Sequence, residues 1–311
     1  MAPRLSPARE GHSRRAESEK ATRVETTTLI EMSLDYARWR DRPALDRPIL
    51  IAAFDGWNDA GDAATWAVRH LAQRWDTQPF ADIDPEPFFD FSQLRPVVEL
   101  EGDERTLRWP ENGFSATQDP RPLILLQGIE PQLRWRTFTK QVISVAQAYD
   151  AAMVVTLGAL LAEVPHSRPV SVYGGSEDPE LRDRLELEQS SYEGPTGIVG
   201  VLNTAARAAG IPSASLWAAV PNYVSGAASP KAALALLDRL QQALEIGIPV
   251  TDLEIATSAY ERQITELVSE DQDTASYIRT LEEQYDDGEL AEPDPASFVE
   301  EVEQFLRDQP D

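Results

Sequence analysis

The sequence predicts an α/β protein whose sheet is mostly parallel, with helices on both faces, a β-hairpin insertion and an acidic, all-helical C-terminal part. Three observations carry this. Short apolar runs at 49–54, 123–126 and 152–161 do not alternate with polar residues, the pattern of strands covered on both faces. Amphipathic stretches separate them. Turn-forming residues gather where each run stops, and strands alternating with helices in this way specify a parallel sheet.

In chain order, residues 1–30 carry charges of both signs without apolar periodicity or a signal-peptide core, and are expected to be a disordered leader. The α/β core is expected over 31–230. Its first unit is the run at 49–54, broken by Asp55-Gly56-Trp57-Asn58-Asp59. A helix follows, marked by Ala60, Ala64, Ala67, Leu71 and Trp75 at three- to four-residue spacing. Residues of about 80–112 differ. Phe88-Phe89-Asp90-Phe91 and Val97-Val98-Glu99-Leu100 flank proline-punctuated turns, and Glu101-Gly102-Asp103-Glu104 forms a charged tip before Arg105. This reads as a hairpin insertion, either an oligomer contact or a plain edge hairpin.

The sheet resumes at 122–126 and ends in Gln127-Gly128-Ile129-Glu130-Pro131. A helix through Trp135, Phe138, Val142, Val145 and Tyr149 follows. Strands are expected at 152–161, at 170–173 before Gly174-Gly175, and at 214–220 before Pro221-Asn222-Tyr223. Tyr192-Glu193-Gly194-Pro195-Thr196-Gly197 opens a helix running to Ala209. From 231 to 311 the pattern is helical only. Its narrow stripes are Leu237, Leu240 and Leu244; Ala256, Tyr260, Ile264 and Leu267; Ile278, Leu281 and Tyr285; and Phe298, Val302 and Phe305.

Composition narrows the chemistry. The 311 residues are 42% hydrophobic, enough for an ordinary core. There is no cysteine, so disulfides, thiolate catalysis and thiolate metal sites are excluded. Only His12, His70 and His166 are histidines, which argues against a histidine metal centre, and no metal is expected. The net charge is −25. From Asp252 onward 19 acidic residues face three arginines, a net of −16. Such a surface repels phosphate backbones, so no nucleic-acid partner is expected. No apolar stretch reaches membrane-spanning length, so no membrane role is expected and the location is read as cytoplasmic.

In open α/β sheets, ligands bind beyond the carboxyl ends of the strands. The turns there would gather Asp55, Asn58, Asp59, Gly128, Glu130, Thr156, Gly158, Glu193, Gly194, Thr196, Gly197 and Asn222 around one rim. Glycines admit a ligand to the backbone, and the helix start at Thr196-Gly197 suits an anion. The same residues are also what turns and caps require. Asp55 and Asp59 can pair as acid and base or hold a metal, but Asp59 is the natural helix cap, and that reading is preferred. The glycines of 194–200 match neither a dinucleotide fingerprint nor a P-loop, so they read as a helix start and no cofactor is expected. His166 sits in a rim loop as a possible general base, against the commoner surface histidine. No motif demonstrates catalysis.

These residues resemble the proteasome assembly chaperone family, type 2. Phe54-Asp55-Gly56-Trp57-Asn58-Asp59-Ala60-Gly61 is similar to the start of that family. The resemblance continues through Gln127-Gly128-Ile129-Glu130-Pro131 with Trp135, through 156–166, through 192–197, and through Val220-Pro221-Asn222-Tyr223-Val224. It covers about 45–250 and points to the actinobacterial branch. The resemblance implies a phosphorylase/hydrolase-like three-layer core. It also implies a homotrimer with the hairpin at the subunit contact, and a helical tail acting as a lid over the strand ends. Eukaryotic relatives assist assembly of the proteasome α-ring. The expected function is therefore a non-catalytic assembly or interaction factor with a protein partner such as a proteasome component. The alternative is a hydrolase- or phosphorylase-like enzyme, or a small-molecule binder, working at the strand ends.

Overall fold

The computed structural model describes residues 36–102, 104–189 and 194–288. The expected leader, Tyr192, Glu193 and the stripe of Phe298, Val302 and Phe305 lie outside the described residues.

The sheet grows outward from β2 (Ile49–Asp55), which follows the short β1 (Ala37–Trp39). Six consecutive buried residues of β2 have helices above and below, so both faces need apolar side chains. On one side β2 pairs in parallel with β7 (Leu123–Ile129), on the other with β8 (Met153–Ala162), and β8 pairs in parallel with β10 (Ser213–Pro221). The margins are antiparallel. β3 (Gln78–Ile83) and β6 (Asn112–Thr117) extend the sheet beyond β7 to β1, and β9 (Val172–Gly175) closes the far edge against β10. The order is β1-β3-β6-β7-β2-β8-β10-β9, and five of the eight strands run the same way.

Seven helices flank this sheet among the described residues. α1 (Ala63–Arg74) and α5 (Pro230–Leu244) cover one face, with the short α3 (Pro179–Leu185) beside them. α2 (Trp135–Ala148) and α4 (Ile198–Ala208) cover the other. Ala63, Ala64 and Ala67 are fully buried, so α1 lies close on the strands. Leu236, Leu237, Leu240 and Leu244 of α5 are buried in the same core cluster, each worth roughly 1.5–3 kcal/mol. The first helix after 231 is thus built into the core. α6 (Thr251–Ser269) packs on α5, and α7 (Gln272–Asp286) on α6.

Residues 84–111 lie outside the main sheet, and only their outer part is a hairpin. β3 and β6 belong to the main sheet, and Ile83 opposite Asn112 is the last pair before the chain departs. β4 (Val97–Glu101) and β5 (Glu104–Arg108) form a separate two-stranded hairpin. Phe88 and Phe89, read from the sequence as part of the hairpin, are buried in the core. Phe88 meets the rings of Tyr36 and Phe138 edge-on at 5.4 Å, because these aromatics fill the space beneath the sheet margin. Across the hairpin, Val98 pairs with Leu107 and Leu100 with Arg105, which puts Val98, Leu100 and Leu107 on one face. All three are more than half exposed.

Candidate functional site

The strand ends converge on Glu130. Asp55 pairs with Ile129 at the ends of β2 and β7, and the Glu130 N–H donates to Asp55 O at 2.8 Å. The chain after β2 turns at Gly56, whose φ of 128° suits glycine and where a Cβ would press on Glu130 Cβ at 3.3 Å. Asn58 is fully buried. Its carbonyl accepts from Ala159 N–H at 2.8 Å, and its Nδ2 donates to Glu130 Oε1 at 2.8 Å. The same Oε1 accepts from Ile198 N–H at 2.8 Å. A carboxylate therefore sits at the start of α4, where the helix dipole favours negative charge. The helix start expected to suit an anion already holds one from the protein. At Gly197 a Cβ would lie 2.1 Å from Asn58 Oδ1, so α4 can approach this closely only with glycine there. Asn58 Oδ1 has no hydrogen-bond partner among the described residues.

Asp59 is buried and turned toward α1. Its Oδ1 accepts from Ala64 N–H at 2.6 Å and Thr65 N–H at 3.3 Å, and Oδ2 accepts from the Thr65 hydroxyl. Asp59 thus serves amides of the first turn of α1, although the helix begins later than read from the sequence, at Ala63 after Asp62. Burial pushes its carboxyl up to about 6, against the lowering effect of these hydrogen bonds and with a smaller push from Asp62. Oxygens of Asp55, Asp59 and Asp62 lie within 4.8 Å of one another. An all-oxygen set suits a hard cation, but the Asp59 oxygens already serve amides and a hydroxyl.

Other expected rim residues lie inside the sheet. Parallel pairing with β10 carries β8 on to Ala162, opposite Pro221, so Thr156 and Gly158 are strand residues, correcting the turn expected there. Thr156 Oγ1 accepts from Asn203 Nδ2 at 2.8 Å and ties β8 to α4. A Cβ at Gly158 would meet the Trp217 ring at 2.5 Å, and one at Gly128 would meet Asn112 Oδ1 at 2.1 Å. Both glycines serve packing within the sheet. Gly174-Gly175 is at the opposite end, since β9 is antiparallel and Gly175 pairs with Ser215 near the start of β10. Gly194 and Thr196 are exposed before α4, Asn222 is half-buried where β10 ends, and Glu193 lies outside the described residues.

His166 stands apart from the Glu130 cluster. It is buried, and Tyr223 OH contacts both its backbone N–H, at 2.7 Å, and its Nδ1, at 2.9 Å. Nε2 lies 3.1 Å from Thr265 Oγ1 on α6. Lys231 Nζ donates to His166 O and Arg168 O, each at 2.6 Å, and pairs with Glu261 at 2.6 Å. Burial, then Lys231, hold the imidazole below its usual range, with Glu282 and Glu261 opposing; burial raises the Tyr223 phenol. α7 lies along the same loop. Arg168 binds Asp286, Ser167 donates to Glu282, and Tyr277 OH donates to Glu163 at 3.1 Å. With both ring nitrogens engaged, His166 is not arranged as a free general base. Asn203, Lys231 and Thr265 were not legible as site residues, since their partners lie 47, 65 and 99 positions away.

A sequence model of the PAC2 family matches residues 53–268, well over half of the chain. The chain belongs to the PAC2 family. A PAC2 family protein from Streptomyces avermitilis MA is 45% identical with a TM-score of 0.70, covering 74% of this chain and 99% of its own. A proteasome-assembly chaperone homologue from Mycobacterium tuberculosis is 44% identical with a TM-score of 0.68, covering 74% and 99%. At 18% identity, an archaeal proteasome activator from Pyrococcus furiosus shares the fold, with a TM-score of 0.61 over 74% of this chain and 97% of that one. No curated protein matches. The α/β class and the family resemblance read from the sequence both hold, and the PAC2 motifs at 54–61 and 127–131 are the segments that meet at Glu130.

Proposed function

We propose that this PAC2 protein is a cytoplasmic, non-catalytic assembly factor whose partner is a proteasome component. The observation that carries the reading is its 44% identity to a proteasome-assembly chaperone homologue along nearly all of that chain. Two features support it. The strand-end groups Asn58, Asp59 and Glu130 are committed to internal hydrogen bonds. The hairpin carries an exposed apolar face of Val98, Leu100 and Leu107, with Trp109 following, which suits contact with protein. That face is the contact of a homo-oligomer, a trimer as the sequence resemblance implies. The helices beyond α5 serve as a lid along the strand-end loops, with α7 fastened to loop 163–168. Among the described residues, no helix is long and apolar enough to cross a membrane.

The test is reconstitution. Purified full-length protein is mixed with separately expressed proteasome α and β subunits and followed by native mass spectrometry. A complex with α subunits or an assembly intermediate, with faster appearance of the finished particle, is expected. Absence of both at micromolar concentrations would sink the reading.

A second reading, a small-molecule binder or a hydrolase- or phosphorylase-like enzyme at the rim, draws on the proximity of Asp55, Asp59 and Asp62. Calorimetric titration with nucleosides, phosphate, short peptides and divalent metals tests it. Binding lost in Asp55→Ala and Glu130→Ala would favour this reading over the first.

A further inference from the structure

The hydrogen bonds around His166 favour one neutral form of its ring. Thr265 Oγ1 donates its proton to Glu261 O at 2.7 Å, so it offers only lone pairs to His166 Nε2, and Nε2 carries the ring proton. Tyr223 OH accepts the His166 backbone N–H and can give its own proton to Nδ1. A second ring proton, on Nδ1, would make Tyr223 OH turn its own proton away from the ring and accept two N–H groups. The cation would also sit beside the Lys231 ammonium.

We propose that His166 is a proton-operated latch: neutral, it fastens α6 and the turn at 222–224 to loop 163–170, and protonated, it releases α6 and α7 from that loop. Every element packed around the ring contributes. Tyr223 of the turn lies against Nδ1, and Lys231 of α5 opposes a charged ring. Glu261 of α6 and Glu282 of α7 favour the charged ring, but burial and Lys231 outweigh them. The remaining ties between α7 and the loop lie at the surface: Ser167 with Glu282, Tyr277 with Glu163, and the two-point pair of Arg168 with Asp286, which is the strongest of them.

The sign follows. The ring's value in the latched state lies below 6.5, its value when released. The latch is therefore fully effective above 6.5 and weakens as pH falls from 6.5 toward the lowered value. One proton is taken up, so each unit of pH raises the released fraction at most about tenfold. Release would uncover Tyr223 and the inner side of α7, where Ile278 and Leu281 are buried.

Hydrogen exchange of the full chain at pH 7.5 and 5.5, corrected for intrinsic rates, reads this out by mass spectrometry. Peptides from 260–286 should exchange several-fold faster at pH 5.5 in the wild type and equally at both pH values in His166→Gln. Unchanged exchange in the wild type overturns the proposal. So does an acid response that persists in His166→Gln. Should that variant not fold, imidazole nitrogen NMR of the wild type decides, with three histidines to assign. An Nε2–H ring at pH 7.5 whose titration midpoint coincides with that of the exchange supports the latch; an Nδ1–H ring or separate midpoints overturns it.

Discussion

Asn58 and Gly197 are in such close contact that a single added carbon at position 197 would overlap the Asn58 carbonyl oxygen, at 2.1 Å. Gly197 is extended, with φ of −84°, so its need for glycine comes from the neighbour and not from the backbone. Gly197→Ala should cost about 1–3 kcal/mol by overpacking. In an Asn58→Ala background the same change should cost much less, a coupling of about 1 kcal/mol or more in a double-mutant cycle by urea unfolding. Additive effects would mean that the contact does not constrain α4.

Asp59 makes stability depend on pH in the less common direction for an acid. Its folded value of about 6 lies above the ordinary 3.8, so the protonated carboxyl is favoured in the folded state. The stabilisation is present below 3.8 and lost as pH rises through about 6. Relative to Asp59→Asn, the wild type should gain about 1 kcal/mol between pH 7 and pH 5. Unfolding curves of both proteins at the two pH values check this, and parallel changes would contradict it.

Thr156 is buried in mid-strand and accepts from Asn203. Thr156→Val keeps the shape and removes the acceptor, which should cost about 1–3 kcal/mol, while Thr156→Ser retains the bond. Equal stability of Val and Ser variants, measured by chemical denaturation, would show that the bond contributes nothing.

The exposed hairpin face should govern self-association. Asp at Leu100 together with Asp at Leu107 should reduce the mass found by light scattering to that of the monomer. The fold itself should change by no more than about 0.5 kcal/mol, as for other surface substitutions. An unchanged mass would remove the hairpin from the interface.

The centre of the sheet was legible because β2, β7 and β8 are apolar on both faces, a signal that needs no partner to be recognised. β3 and β6 escaped because Pro79 breaks the β3 register and Gly113 interrupts β6. Phe88 and Phe89 look like hairpin residues in sequence, and only the tertiary packing of Phe138 and Tyr36 turns them inward. Asp55, Asn58, Asp59, Glu130 and Gly197 are near one another because they all follow strand ends or precede a helix. The strand register that moves Thr156 and Gly158 into the sheet depends on pairing with β10, which local sequence does not encode. His166 was noticed as a loop residue, but a network assembled from Tyr223, Lys231 and Thr265 has no local spacing to betray it.

The chain leaves the main sheet after Ile83 and returns at Asn112, directly opposite, so the hairpin stands outside a closed neck. Such a segment behaves as an exchangeable cassette. Its tip can be lengthened, shortened or recoloured in charge while β3 and β6 keep their register, and doubling a flexible loop costs only about 0.6 kcal/mol. The boundary falls after Phe89, which belongs to the core. A chimera carrying another sequence across 95–110 should keep this fold and change only how the hairpin associates.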